Sequence, residues 1–413
     1  WGGELPRKEW IDAQTPNHPV MVVRLDGHMV LANSKALALA GVDANTADVA
    51  GGEIVRDADG NPTGVLKDNA MDLVAKAIPR PAAEQEDAAL LAAMNYLASR
   101  GVTTVHDMSD DWAGLAAYRR AHSKQALITR IYASVPIADH ARMAAQLKEN
   151  GHGDQWLRIG GVKGFMDGSL GSHTAAMFDP FSDTTDDRGF FLTDPADMQV
   201  MAIAADANGL QLNIHAIGTR ANFELLNIFD AVIDTNGPGE RRFRIEHAQH
   251  LRPQEISRIA AMKVIPSMQP YHAIDDGRWA ESVIGPERAR HTYAFRSLLD
   301  AGARLAFGSD WPVAPADPIQ GVYAALTRQT LDGAHPKGWV PSEKITVEQA
   351  LVAYTRNAAY ASCEESLKGT LEAGKLADIV ILDGDITQIA PADIREIRVS
   401  RTIVGGETVY QRP

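Results

Sequence analysis

The chain has 413 residues, 45% of them hydrophobic, enough for one large barrel plus a smaller domain and too many for a single compact unit of about 100 residues. Acidic residues outnumber basic ones by 53 to 40, and the net charge of −13 argues against a nucleic-acid or anionic-membrane surface and for a small-molecule partner. The single cysteine, Cys363, excludes an intramolecular disulfide and a thiolate zinc finger, and the sequence has no run of about 18 apolar residues that would cross a membrane.

The chain opens at Trp1 inside what reads as an ongoing fold, which leaves a signal peptide and the localisation open. Residues 1–80 are rich in turns around one apolar run, His18–Gly41. That run predicts a strand, a turn, and a helix capped near Asn33 or Ser34 and stopped by Gly41. The segment is an αβ excursion, and its His28 is a candidate lid residue touching substrate. Asp57 and Asp59 read as a plain β-turn, because the terminal glutamate of a calcium loop is missing. Leu90, Leu91, Met94 and Leu97 recur at helical spacing within Glu84–Arg100, a helix ending before Gly101. The motif Gly101–Ser109 (GVTTVHDMS) then supplies a strand at Val102–His106. Further strands are expected at Ile128–Val135, Ile159–Met166, Leu210–Ala216, Phe243–His247, Val264–Gln269 and Arg304–Gly308, making seven. Helical patterns at Met198–Ala207, Asn222–Asp234 and Pro253–Met262 alternate with them. Helices at Pro318–Leu331 and Val347–Ala361 follow, separated by a Gly/Pro-rich loop. The tail, with short strands between Glu-Ala-Gly and Gly-Gly turns, forms a small sheet.

Alternating strands and helices give either a doubly wound sheet or a barrel. Four strands each end on a potential metal ligand: Lys163, His215, His247 and Asp310. A doubly wound sheet concentrates its chemistry at one switch point, whereas a barrel builds its site from many strand ends. The expected fold is therefore an α/β, (β/α)8 TIM-type barrel over residues 1–360, with 361–413 part of a small β-sandwich. Each ligand candidate also has an ordinary reading. Lys163 could snorkel to the rim, His215 and His247 could be satisfied core histidines, and Asp310 could cap a helix before Pro312. Around them, Asp167, Ser169 and His173 follow Lys163 in a loop of glycines and small hydroxyls. Gln269, Tyr271 and His272 follow the sixth of these strands, and Trp311 adjoins Asp310; all are candidate substrate contacts. His250 reads as a rim residue or as one standing just behind the ligands, and His106 as a rim or hydrogen-bonded core residue.

With these residues in place, the chain resembles the amidohydrolase superfamily, within it the YtcJ-like branch that includes N-substituted formamide deformylases. The resemblance covers essentially the whole chain and rests on DGHMVLANSKAL, GVTTVHD, VKGFMDGSLGSHTA, HAIGTRA, IEHAQHL, FGSDWPV and GTLEAGKLADIVILD. Several long motifs in order are far more specific than one short pattern. The resemblance implies a distorted barrel, a β-sandwich made from both termini, and metal-dependent hydrolysis. It further implies that Lys163, carboxylated by carbon dioxide, bridges two divalent ions, zinc foremost with iron and manganese as alternatives. His215 and His247 would be further ligands, and Asp310 both a ligand and the group handling the proton of the attacking water. The family also uses a His-x-His pair at the end of its first strand, and this sequence contains none. The expectation is that the chain given begins after the first strand and the N-terminal sandwich half.

The chemistry agrees with the residue types. An amide resists water because the nucleophile is poor, the carbonyl weakly electrophilic and the amine a bad leaving group. A metal-bound hydroxide, formed as the pKa of water falls toward about 7, addresses the first two obstacles. Asp310 would take the proton and return it to the leaving nitrogen. The expected activity is cleavage of an amide-like C–N bond, an N-substituted formamide being one substrate. The alternatives are a cyclic imide, carbamate or ester hydrolase, or an inactive barrel that binds a small ligand or regulates. A homodimer is left open.

Overall fold

The computed structural model describes residues 4–108 and 111–413; Trp1 and Ser109, which the sequence reading uses, lie outside them. Residues 4–80 contain a four-stranded antiparallel sheet of β1 (Met21–Val23), β2 (Met29–Ala32), β3 (Gly52–Arg56) and β4 (Pro62–Asp68), in the order β1-β2-β4-β3. Asn33 caps the helix Ser34–Ala40, its side chain accepting from Ala36 N–H, and Gly41 ends it in the left-handed region at φ 70°, as a C-terminal glycine commonly does. Val30, Leu37, Ile54, Leu66 and Val74 give this excursion an apolar core of its own. The Asp57–Asn61 segment is a turn in which the Asp57 carboxylate accepts from the backbone of Asp59 and Asn61.

All seven expected strands are present: β5 (Thr104–Asp107), β6 (Arg130–Pro136), β7 (Leu157–Phe165), β8 (Gln211–Ala216), β9 (Arg244–His247), β10 (Ile265–Met268) and β11 (Ala306–Phe307). They are parallel and lie in one sheet in strict sequence order. A doubly wound sheet would reverse its order at a switch point; this one winds in one direction. Residues of the two edge strands, His106 on β5 and Phe307 on β11, line the same cavity, so the sheet curls into a barrel wall. Among the described residues β5 and β11 do not pair with each other.

Every residue of β8 is buried, because helices such as Pro195–Ala207 and Thr219–Asn236 cover the outer face of the sheet. Two expected helices differ. The one predicted over 318–331 stops at Thr327, where Arg328 turns left-handed at φ 50°. Its buried guanidinium donates to the carbonyls of Trp339, Tyr293 and Thr292. The helix over 347–361 breaks at Thr355 (φ −118°, ψ −87°) into Val347–Tyr354 and Arg356–Ala361.

The tail forms an antiparallel sheet of β12 (Ile379–Leu382), β13 (Val399–Val404) and β14 (Glu407–Gln411), an arrangement that fits one layer of a β-sandwich. It is bound to the barrel by a buried bidentate pair: Arg130 at the start of β6 donates Nε and Nη2 to Asp378 at 2.7 and 2.9 Å. Thr402 Oγ1 adds a bond to Ala98 O at 2.7 Å. No helix among the described residues is long and apolar enough to cross a membrane.

Candidate metal and active site

Side chains alternate across a strand, and many inward positions of this sheet are polar. Lys163 and Phe165 of β7, His215 of β8, Arg244 and Glu246 of β9, and Ser267 of β10 line a cavity of about 1460 Å³. His247 falls on the wrong parity to join Arg244 and Glu246. It reaches the cavity because its own φ is 75° and that of Ala248 is 44°, left-handed values for residues with a Cβ. Such conformations cost about 1–3 kcal/mol each and cluster at functional sites. Asp310, just past β11, is likewise left-handed at φ 61°.

His247, His272 and Asp310 form a cluster, with one ligand atom from each lying within 4.8 Å of the others. His247 Nδ1 pairs with Gln269 Oε1 at 2.8 Å, which fixes the ring and leaves Nε2 for the cluster. His272 Nε2 is buried without a hydrogen-bond partner, 3.7 Å from Asp310 Oδ2. Burial pushes the His247 pKa down to about 4, against the Asp310 charge and with the help of Lys163 and His272. Its imidazole is therefore neutral at neutral pH, as metal coordination requires. Two imidazoles, one of them orphaned in a buried setting, and a carboxylate fit a divalent ion of the zinc, iron or manganese kind.

All four expected ligands reach the cavity wall, but the geometry groups them differently. His272, expected to touch substrate, stands in the cluster. His215 stands beside it, its ring centroid 4.6 Å from that of His247, with Nε2 turned to Gly168 O at 3.0 Å. Burial first, then the charges of His247, His28 and Lys163, hold its pKa well below 6.5. Lys163 Nζ lies 4.6 Å from the centroid of the Phe165 ring.

Of the other candidates, His28, Ser169, Gln269 and Trp311 line the cavity. Asp167, His173 and Tyr271 do not. Asp167 is fully buried and anchors the loop after β7: its carboxylate accepts from the backbone N–H of Ile217, Gly218 and Ala176 at 2.9, 2.7 and 2.8 Å. Burial pushes its pKa up to about 7 while these bonds pull it down. His173 turns outward to pair with Asp183 at 2.9 Å, and Tyr271 sits on the helix Pro270–Asp276 beyond the wall. His250 stands behind the cavity wall, the second of its two expected places: it is buried, its Nδ1 2.9 Å from Thr292 Oγ1. His106, half-buried at the cavity wall, pairs with Arg244 at 3.0 Å.

Of the hairpin tip, sequence reasoning picked out His28 alone. Arg24, Leu25, Asp26, Gly27 and His28, between β1 and β2, all line the cavity. Asp26 Oδ2 accepts from Ser169 Oγ at 2.8 Å, tying the tip to the loop after β7. His28 Nδ1 is 2.7 Å from Asp68 Oδ1. Burial lowers the His28 pKa, and the Asp68 hydrogen bond and charge outweigh it, so the net shift is upward. The signal available was the polar triplet Asp-Gly-His interrupting an apolar hairpin.

The profile described as "Amidohydrolase family" matches residues 3–410. The chain is 40% identical to Protein LONG AFTER FAR-RED 3 of Arabidopsis thaliana, over 99% of this chain and 72% of that one. It is 31% identical to YtcJ of Bacillus subtilis, over 98% and 76%. It is 30% identical to the N-substituted formamide deformylase of Arthrobacter pascens, again over 98% and 76%. A crystal structure of an uncharacterized metal-dependent hydrolase from Pyrococcus horikoshii superposes with a TM-score of 0.75 at 30% identity, covering 94% of this chain and 76% of that one. With that profile, these relatives and a parallel sheet of the same kind, the chain belongs to the amidohydrolase family, in its YtcJ-like branch, and is a hydrolase.

Proposed function

We propose that the chain hydrolyses an amide-like C–N bond of a small molecule, with N-substituted formamides as the first substrate class to try. The observation that carries this reading is the orphaned His272 Nε2, buried beside His247 and the Asp310 carboxylate at the wall of a large cavity. A divalent ion held there would polarise the carbonyl and acidify water. His247, His272 and Asp310 would hold it, with His215 and a carboxylated Lys163 as the ligands of a second ion. Asp310 takes a proton from the attacking water and returns it to the nitrogen as the C–N bond breaks, so that the amine leaves neutral. The 30% identity to the formamide deformylase supports the substrate class, and the cavity volume of about 1460 Å³ has room for a bulky N-substituent.

The test is elemental analysis of natively purified protein, followed by hydrolysis assays on matched formamides, other amides and esters. Bound divalent metal with C–N cleavage strongest on formamides is the expected result. A metal-loaded protein that cleaves only esters, or nothing, overturns the reading.

A further inference from the structure

Asp68, the last residue of β4, has a completely buried side chain whose Oδ2 has no hydrogen-bond partner. Its φ of 46° with ψ −125° lies outside the left-handed helical region, a strained backbone of the kind found at functional sites. Gly168 makes room for it: a Cβ there would lie 2.8 Å from both Asp68 oxygens. Burying a carboxylate is costly unless it is paired, and the side-chain partner at hand is His28 Nδ1 at 2.7 Å. His28 lines the cavity, and its ring centroid is 5.2 Å from that of His215. With Nδ1 turned to Asp68, Nε2 occupies the far edge of the ring, and no described protein group pairs with it. A buried carboxylate that fixes one ring nitrogen sets the orientation and tautomer of a histidine whose other nitrogen works.

We infer that Asp68 is a positioning residue that holds the His28 proton on Nδ1 and thereby presents Nε2 to the reacting amide, making the hairpin tip part of the reaction centre. This rests on the hydrolase reading above. A simple staple between excursion and barrel would need no such tautomer control.

Two measurements decide it. In wild-type protein selectively labelled with 15N-histidine, long-range 1H–15N correlation spectra, assigned by loss of the signal in His28→Ala, should show His28 protonated on Nδ1. Protonation on Nε2 alone overturns the inference, whatever the activity. In metal-loaded enzyme, Asp68→Asn, which keeps the side chain's shape, should lower kcat about 100-fold with KM within about twofold and metal content unchanged. His28→Ala should do likewise, and the double variant should lose no more than the worse single one. Losses that multiply, or a rise in KM alone, refute the positioning role. If wild-type protein binds metal and cleaves no amide, the hydrolase reading fails, and the tautomer spectrum by itself decides whether Asp68 sets His28.

Discussion

Replacing Asp167 by alanine should destabilise the protein severely, although Asp167 does not itself line the cavity. The carboxylate satisfies three backbone donors at once: Ile217 and Gly218 beyond the end of β8, and Ala176 in the loop after β7. The carboxylate itself is fully buried, and Ile217 and Ala176 are buried too. Leaving a buried donor unpaired costs about 1–3 kcal/mol, and the three are close enough that the losses are not additive. The expected loss is about 3–6 kcal/mol, a large part of the about 5–15 kcal/mol that keeps a protein folded. Asp167→Asn should lose less, since its amide oxygen can still accept from Gly218 and Ala176, which share one carboxylate oxygen, and only the Ile217 N–H is left facing an N–H₂. Urea unfolding followed by tryptophan fluorescence reads this directly, as a lower midpoint at unchanged slope. A loss under about 1 kcal/mol would refute the anchoring role and return Asp167 to the list of pocket residues.

Three further outcomes are expected. Asp310→Asn should reduce kcat by at least about 100-fold in protein whose metal content is measured alongside; an unchanged rate at equal metal sinks the proton role. Gly168→Ala should lower activity and thermal stability together, because its methyl would collide with Thr174 Oγ1 and with both oxygens of Asp68; wild-type behaviour would mean the loop has slack the structure does not show. His250, its pKa pushed down to about 3 by burial, is neutral in the fold. Its contribution to stability is complete above about pH 6.5 and is lost as pH falls toward 3, by about 5 kcal/mol in full. Asp276, pushed up to about 6 by burial, acts with the opposite sign, losing stability as pH rises through 6. The difference between wild type and His250→Asn isolates the histidine, and it should shrink as pH drops from 6.5 to 4.5; a constant difference refutes the shift.

The barrel was legible because apolar runs bounded by glycine and helix signals mark parallel strands regardless of tertiary detail. Lys163 and His215 were found by the same rule, each lying near the end of such a run. His272 was weighed only as a substrate contact, since it sits on a helix after β10 and nothing local separates a ligand there from a rim histidine. Asp68 was missed because its partner is forty residues away, and no spacing rule links the ends of two different strands in an excursion. Asp167 was misplaced for a different reason. Its neighbours Gly168 and Ser169 looked like a pocket mouth, and only coordinates show the carboxylate turned inward to backbone donors. The polar side of the barrel interior was readable and passed over: Gln211, Asn213 and His215 alternate with apolar residues in a strand buried on both faces. Period-two polarity inside a fully buried strand points to a wet, functional lumen.

The pair between Arg130 and Asp378 has a consequence for synthesis on the ribosome. Its partners are 248 residues apart in sequence, and translation proceeds at about 5–20 residues per second. For about 12–50 seconds after Arg130 is made, the guanidinium at the start of β6 has no carboxylate to meet, and burying it alone would cost about 3–5 kcal/mol. The nascent barrel wall therefore stays open to water at β6 until the tail arrives, and a chain cut off before Asp378 should remain soft and sensitive to proteases at that strand.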